Sequence, residues 1–224
     1  MQIKSRKFIY FYFCFFLLIN FDLFAEEFNI TAKEIIVQKD ENILIGKGSV
    51  TAVDLQGNIV KADKITYKKK QEFLLAEGNV IVFDNSGNVL NSNKATYDKL
   101  NEIIVTYSNT VVVLKEGIEL KSNNITYDLI GKILSSSGTS TFEDEDGNNI
   151  ETSMFQYSTK NNLFSSIGKI KIIDIKNNKY FFKELYIDTK KNEMIGSDVS
   201  VLLDQENFGV NKQSDPRFVA NDIL

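Results

Sequence analysis

The stretch IVKADKITYKKKQEFLLAEGNVIVFDNSGN, residues 59–88, is one of six consecutive copies of a thirty-residue pattern that fills most of the chain. Stepping by thirty from Ile35 gives Ile65, Ala95, Ile125, Phe155 and Leu185, all apolar; stepping from Val37 gives Tyr67, Tyr97, Tyr127, Tyr157 and Ile187. Gly48, Gly78, Ser108, Gly138, Gly168 and Asp198 form another column, and Gly57, Gly87, Gly117, Gly147, Asn177 and Asn207 a fourth. No insertion breaks this register, which marks a repeat architecture in which each unit needs its neighbours to bury a face.

Each copy reads as a β-hairpin. In residues 59–88, Ile59 to Tyr67 is one strand, Lys68 to Gln71 a turn, Glu72 to Phe83 a longer strand and Asp84 to Asn88 the next turn. Glycine and asparagine recur in that second turn because it needs positive φ. One parity of the longer strand carries Leu74, Ile104, Leu134 and Phe164, then Val80 and Ile170, then Val82, Val112, Phe142 and Ile172. Strict alternation places that parity on an interior. The shorter strand breaks phase: Val60 and Ala62 share one parity and Ile65 and Tyr67 the other, in every copy. An extra residue in that strand, stacked at one height opposite a glycine row, predicts a β-bulge along which the sheet folds over. The expected shape is a sheet of about twelve long strands bent into a V or flattened roll, with an apolar groove along its length.

The motif of a small residue, two polar residues, an apolar one, Thr and Tyr, in Ala62-Asp63-Lys64-Ile65-Thr66-Tyr67 and Ser122-Asn123-Asn124-Ile125-Thr126-Tyr127, resembles the repeat of the OstA family. So does Leu75-Ala76-Glu77-Gly78-Asn79-Val80. The family comprises the periplasmic lipopolysaccharide-transport protein LptA and the N-terminal domain of the outer-membrane translocon LptD. The resemblance covers residues 28 to 207; copies three and four depart from it, with Ser108-Asn109-Thr110 and Gly138-Thr139-Ser140 in place of Gly-Asn-Val. It implies an all-β fold, the OstA-type β-jellyroll or β-taco, whose groove carries lipid A acyl chains across the periplasm. The partners it implies are lipopolysaccharide, other jellyroll transport proteins and, for an LptD-type chain, an outer-membrane barrel with its lipoprotein.

Composition argues against several enzyme classes and against nucleic-acid binding. The chain has 224 residues, no histidine or tryptophan and one cysteine, Cys14. Absent histidine argues against acid-base, triad or zinc chemistry, so neither catalytic residues, a metal nor a cofactor is expected. Lys4, Arg6 and Lys7, the apolar run Phe8 to Ile19 and Leu23-Phe24-Ala25 read as a cleavable signal peptide over residues 1–25, which predicts export to the periplasm. Its loss leaves 23 basic against 29 acidic residues, a poor balance for binding nucleic acid. Residues 26–207 then form the repeat domain. The polar run 208–224, around Pro216, reads as a tail or as the linker by which an LptD-type domain leaves for its barrel; a free-standing LptA-type bridge is the alternative.

The interior columns are the candidate lipid site: Leu74, Val80, Val82, Ile104, Val112, Phe142, Phe164 and Ile172. A buried methylene contributes about 0.8 kcal/mol, whereas an exposed lysine-phosphate pair is worth about 1 kcal/mol or less, so these columns are expected to dominate lipid affinity. An unclosed hairpin array has two edges that invite strand addition. The first is expected at Ile30, Thr31, Lys33, Ile35 and Val37, where a partner module docks, and the second at Val199 to Leu203. The tyrosine row reads as a packing ladder between copies, the acidic run Glu143 to Asp146 as a solvated turn and Lys68-Lys69-Lys70 as a charged turn.

Overall fold

The computed structural model describes residues 28–204 and 217–223, and the expected signal peptide lies outside them. The described elements are strands and one turn of 3-10 helix at Lys69–Gln71. The chain enters through β1 (Phe28–Thr31) and β2 (Glu34–Gln38), both antiparallel to β3 (Ile43–Asp54). It continues as a meander through β4 (Ile59–Lys68), β5 (Phe73–Phe83) and β6 (Val89–Asp98). In the middle copies the fold line cuts each long strand in two, giving β7 (Ile103–Tyr107), β8 (Thr110–Val113), β9 (Glu119–Ser122), β10 (Thr126–Asp128), β11 (Ile133–Ser136), β12 (Ser140–Glu143), β13 (Asn149–Thr152) and β14 (Phe155–Ser158). Full-length strands return in β15 (Leu163–Ile173), β16 (Lys179–Asp188) and β17 (Glu193–Leu202), followed by β18 (Arg217–Ile223). The sheet therefore counts eighteen strands where the sequence predicts about twelve long ones.

The predicted fold line is present, but the extra residue sits in the other strand. Between the pairs Lys47/Lys64 and Val50/Ala62, Gly48 and Ser49 face Asp63 alone, and between Glu77/Lys94 and Val80/Ser92, Gly78 and Asn79 face Asn93 alone. The longer strand thus carries two residues where its partner carries one, and both take positive φ: +75° at Gly78 and +46° at Asn79. Two successive left-handed residues turn the strand sharply, which is the geometry of a corner-forming bulge. The phase break read in the shorter strand is the same corner seen from the neighbouring strand, where Val60 and Ala62 point inward, then Ile65 and Tyr67. Asn79 Nδ2 donates to Asp63 Oδ2 at 2.8 Å across the corner.

The corners divide the sheet into two leaves that fold face to face. One, the tyrosine leaf, holds residues such as 65, 67, 74 and 76 of each copy and ends on turns like Lys99 to Glu102. The other, the aspartate leaf, holds residues such as 60, 62, 80 and 82 and ends on turns like Asp84 to Asn88. Both inner faces are buried: Ile65, Leu74, Val80, Val82, Leu120, Leu134 and Leu185 are all within a few per cent of full burial. Side chains meet across the interior, Phe28 edge-on to Tyr67 and Tyr97 at 5.0 and 5.6 Å, and Phe142 edge-on to Phe155 and Phe164 at 4.6 Å each. The expected groove is accordingly an interior filled by its own side chains, because two apolar faces brought together by a corner lose most of their water contact.

Inside the corner of the middle copies the interior turns polar. Thr110 Oγ1 lies 2.8 Å from Thr106 Oγ1 and 3.3 Å from Ser92 Oγ, Ser122 Oγ lies 3.0 Å from both Ser136 and Ser140, and Thr152 Oγ1 lies 2.5 Å from Ser166 Oγ. Small hydroxyls fit where the leaves converge, and each finds a partner there, as buried polar atoms must. At the C-terminal end, residues 217–223 of the segment expected to be a departing tail pair back instead: β18 runs antiparallel to β17, from Gly196/Ile223 to Leu202/Arg217. The edge expected at Val199 to Leu203 is therefore covered.

A Cβ at Gly78 would sit 2.5 Å from Asp63 Oδ2, on a residue whose φ is +75°. Gly78→Ala is expected to lose about 1–3 kcal/mol through strain at the left-handed position and displacement of Asp63. Thermal unfolding checks this, with a fall of about 2–4 °C for each kcal/mol in a chain of this size.

Candidate functional site: the interior and its seam

The eight predicted interior residues come together in one continuous core. Leu74, Ile104 and Phe164 project from the tyrosine leaf and Val80, Val82, Val112, Phe142 and Ile172 from the aspartate leaf, all among the buried apolar residues. The five predicted edge residues lie on β1, β2 and the link between them. Ile30 pairs with Ala52 and Thr31 with Thr51, Ile35 with Gly46 and Val37 with Leu44, and the Lys33 N–H donates to Gly48 O at 3.1 Å. Ile35 and Val37 are 46% and 57% exposed, so this end presents apolar side chains next to strand backbone.

Where the leaves meet opposite the corner, no backbone register joins them among the described residues; side chains do. The Tyr97 hydroxyl lies 3.0 Å from Asp54 Oδ2 and 2.6 Å from Glu102 Oε2. One copy further on, the Tyr127 hydroxyl donates to Asp84 Oδ2 at 2.7 Å. In both pairs the tyrosine lies 43 residues after the aspartate, so each tyrosine-leaf segment closes on an aspartate-leaf turn from one and a half copies earlier. Lys99, only 8% exposed in its side chain, reinforces the first pair: its Nζ donates to Gln56 Oε1 at 2.6 Å, lies 3.6 Å from Asp54 Oδ2 and pairs with Glu102.

The aspartates are held for this role by their own turns. Asp84 Oδ1 accepts from the N–H groups of Ser86 and Asn88, each at 2.8 Å, and its Oδ2 accepts from Asn88 Nδ2 at 2.7 Å. Asn88 Oδ1 then accepts from the Lys115 N–H of the next turn at 3.1 Å. Asp54 with Asn58, Asp144 with Asn148 and Asp174 with Asn178 repeat the arrangement. A side-chain carboxylate that caps its own turn is a standard way to satisfy turn N–H groups. The acidic run at Glu143 to Asp146 thus contains a turn-capping aspartate.

Sequence reasoning placed the tyrosines on a packing ladder and missed the seam. The signal was available only in part: Asp54, Asp84, Asp144, Asp174 and Asp204 recur at the thirty-residue spacing, with Leu114 interrupting them. The offset of 43 residues that brings tyrosine to aspartate follows from the folded sheet. A cleft of about 660 Å³ also lies along the corner of the last copies, lined by Ser153, Lys169, Ile170, Phe181 and Lys183 among others. Ion pairs Lys171–Glu151 at 3.3 Å and Lys183–Asp198 at 3.4 Å line its sides.

No family model matches the chain, and no curated protein matches it. Among solved structures, LptH, the LptA homologous periplasmic component of the lipopolysaccharide transport device of Pseudomonas aeruginosa, shares 14% identity over 45% of this chain and 75% of its own, with a TM-score of 0.41. The TCP10 domain of Danio rerio CPAP shares 8% identity over 72% of this chain and 96% of its own, with a TM-score of 0.15. Both scores are low, and the functional reading below rests on the residues of this chain.

The Tyr97 and Tyr127 phenols are pushed far above the ordinary tyrosine range, by burial first and then by the carboxylates of Glu102 and Asp54 in one case and Asp84 in the other. Their contribution to stability is fully present below the unfolded tyrosine pKa of about 10 and falls as pH rises beyond it, since the unfolded chain ionises first. Titration at 295 nm is expected to show these two phenols only as the fold is lost. Tyr127→Phe is expected to cost about 1–3 kcal/mol in urea unfolding at neutral pH and to remove one of those late phenols.

Proposed function

We propose that this chain is a lipopolysaccharide carrier of the periplasm, holding lipid A acyl chains between its two leaves at Leu74, Val80, Val82, Ile104, Val112, Phe142, Phe164 and Ile172. One observation supports this above the rest: a single apolar interior runs through successive copies, and side-chain hydrogen bonds and packing alone hold its leaves together on the side away from the corner. Backbone ladders are extended and cooperative, whereas a seam of separate contacts worth about 1–3 kcal/mol each is within the range that acyl-chain burial can offset. In this reading the interior side chains are what an acyl chain displaces when the leaves part. The motif resemblance of residues 28 to 207 points to the same role.

Two forms of such a carrier fit, the periplasmic part of an LptD-type translocon and an LptA-type bridge. The return of residues 217–223 to β17 favours the bridge, because a strand that pairs back belongs to the domain and is not a linker leaving it. In the bridge reading β1 and β2 receive the preceding module by strand addition at Ile30, Thr31, Lys33, Ile35 and Val37, giving a head-to-tail contact that continues the interior from one module to the next.

A photoreactive diazirine analogue of leucine at position 112 should form an adduct with lipopolysaccharide, and the same group at Val113, on the outer face, should form none. Adducts from both positions, or from neither, would remove the interior as the lipid site. For the edge, crosslinkers at Thr31, Lys33 and Ile35 are expected to capture a partner of the same β fold, and crosslinkers at the mid-sheet residues Asn93 and Asn123 are not. Capture from the mid-sheet positions alone rules strand addition out.

A further inference from the structure

The seam is not uniform along the molecule. Applying the same 43-residue offset, the third position pairs Leu114 with Tyr157, and the fourth Asp144 with Ile187. Neither pair can form the carboxylate-phenol bond of the first two. Leu114 is buried at 2% exposure, and the Tyr157 hydroxyl turns instead toward Thr189 Oγ1 at 3.4 Å. The first two of these positions are therefore latched, and the third has a buried leucine where the others have the aspartate.

Between the second and third positions a cleft of about 220 Å³ opens between turns of the two leaves. Ser86, Asn88 and Lys115 line it from the aspartate leaf and Lys132, Thr159 and Lys160 from the tyrosine leaf, with Glu116 the single carboxylate in its wall. Lys132 Nζ is 3.5 Å from Asn85 Oδ1, a neutral partner. Three lysines thus line a cleft beside the turn that begins at Leu114, a core residue, in a chain whose formal net charge is −4. Cationic groups next to a buried apolar side chain match a molecule with an anionic head and hydrocarbon chains.

We infer that the seam parts at Leu114 and Tyr157 to admit acyl chains sideways into the interior, and that Lys115, Lys132 and Lys160 receive the phosphate of the entering lipid. This rests on the carrier reading above and adds to it where the lipid enters and which residues choose a phosphorylated one. Each lysine is exposed or half-buried, so each contributes modestly; three together are worth about 1–2 kcal/mol, or roughly tenfold in capture.

The test uses the full domain carrying the diazirine group at position 112, with three probes: diphosphorylated lipid A, the same lipid without phosphate, and dodecyl maltoside. The wild type should capture the diphosphorylated lipid best. Replacing Lys115, Lys132 and Lys160 together by Gln should lower that capture about tenfold and leave the two uncharged probes unchanged. Inorganic pyrophosphate should compete for the phosphorylated lipid only. Tyr127→Phe, which loosens the neighbouring latch, should speed capture of all three, and Leu114→Asp, which restores a carboxylate opposite Tyr157, should slow it. Since Leu114→Asp could fail to fold, the lysine variant, altered only at the cleft, decides. Equal capture of phosphorylated lipid by the lysine variant and the wild type overturns the assignment of the cleft while leaving the carrier reading intact. A wild type that captures none of the probes removes the carrier reading itself.

Discussion

The corner at Gly78 and Asn79, repeated wherever the long strand faces Asp63 or Asn93, is the constraint from which the other features follow. Two left-handed residues in one strand against one extended residue in the next force the ladder to change direction, and stacking that mismatch copy upon copy aligns the changes into a line. Without it the repeats would make a flat meander with one wet face, and an apolar column such as Leu74, Ile104 and Leu134 would be exposed. With it, the same column faces Val82 and Val112 from the other leaf. The small hydroxyls of the middle copies then lie where the leaves converge, and they bond each other there.

Much of this was legible from residue spacing. The alternation of Val80 and Val82, the phase break between Ala62 and Ile65 and the turn signature at Asp84 to Asn88 give the two leaves, the line between them and the turns. What spacing does not contain is the relative placement of the leaves. Tyr97 and Asp54 belong to different columns of the repeat, and their meeting depends on how far one leaf slides along the other as the corner closes. The strand that carries the extra residue is hidden in the sequence for a related reason. A parity change in one strand and an added residue in its neighbour produce the same pattern of apolar positions, and only the pairing of Lys47 with Lys64 and Val50 with Ala62 distinguishes them. The final strand escaped notice because Arg217 to Ile223 carries no thirty-residue partner to compare with.

Polar chemistry in this chain is spent on holding shape. Asp84 accepts from its own turn and from Tyr127, Asn88 passes the bonding to the next copy, and Lys99 neutralises two carboxylates in a nearly dry setting. Asp84 and Asn88 thereby tie one leaf to the other and one copy to the next.

The 43-residue offset also sets how much chain each kind of contact closes. Each pairing from β3 to β6 joins neighbouring strands through a short turn, whereas the bond between Asp54 and Tyr97 spans all four strands. Loop-closure entropy grows with the length closed, so a seam contact costs more chain entropy to make than any one hairpin and returns more when it breaks.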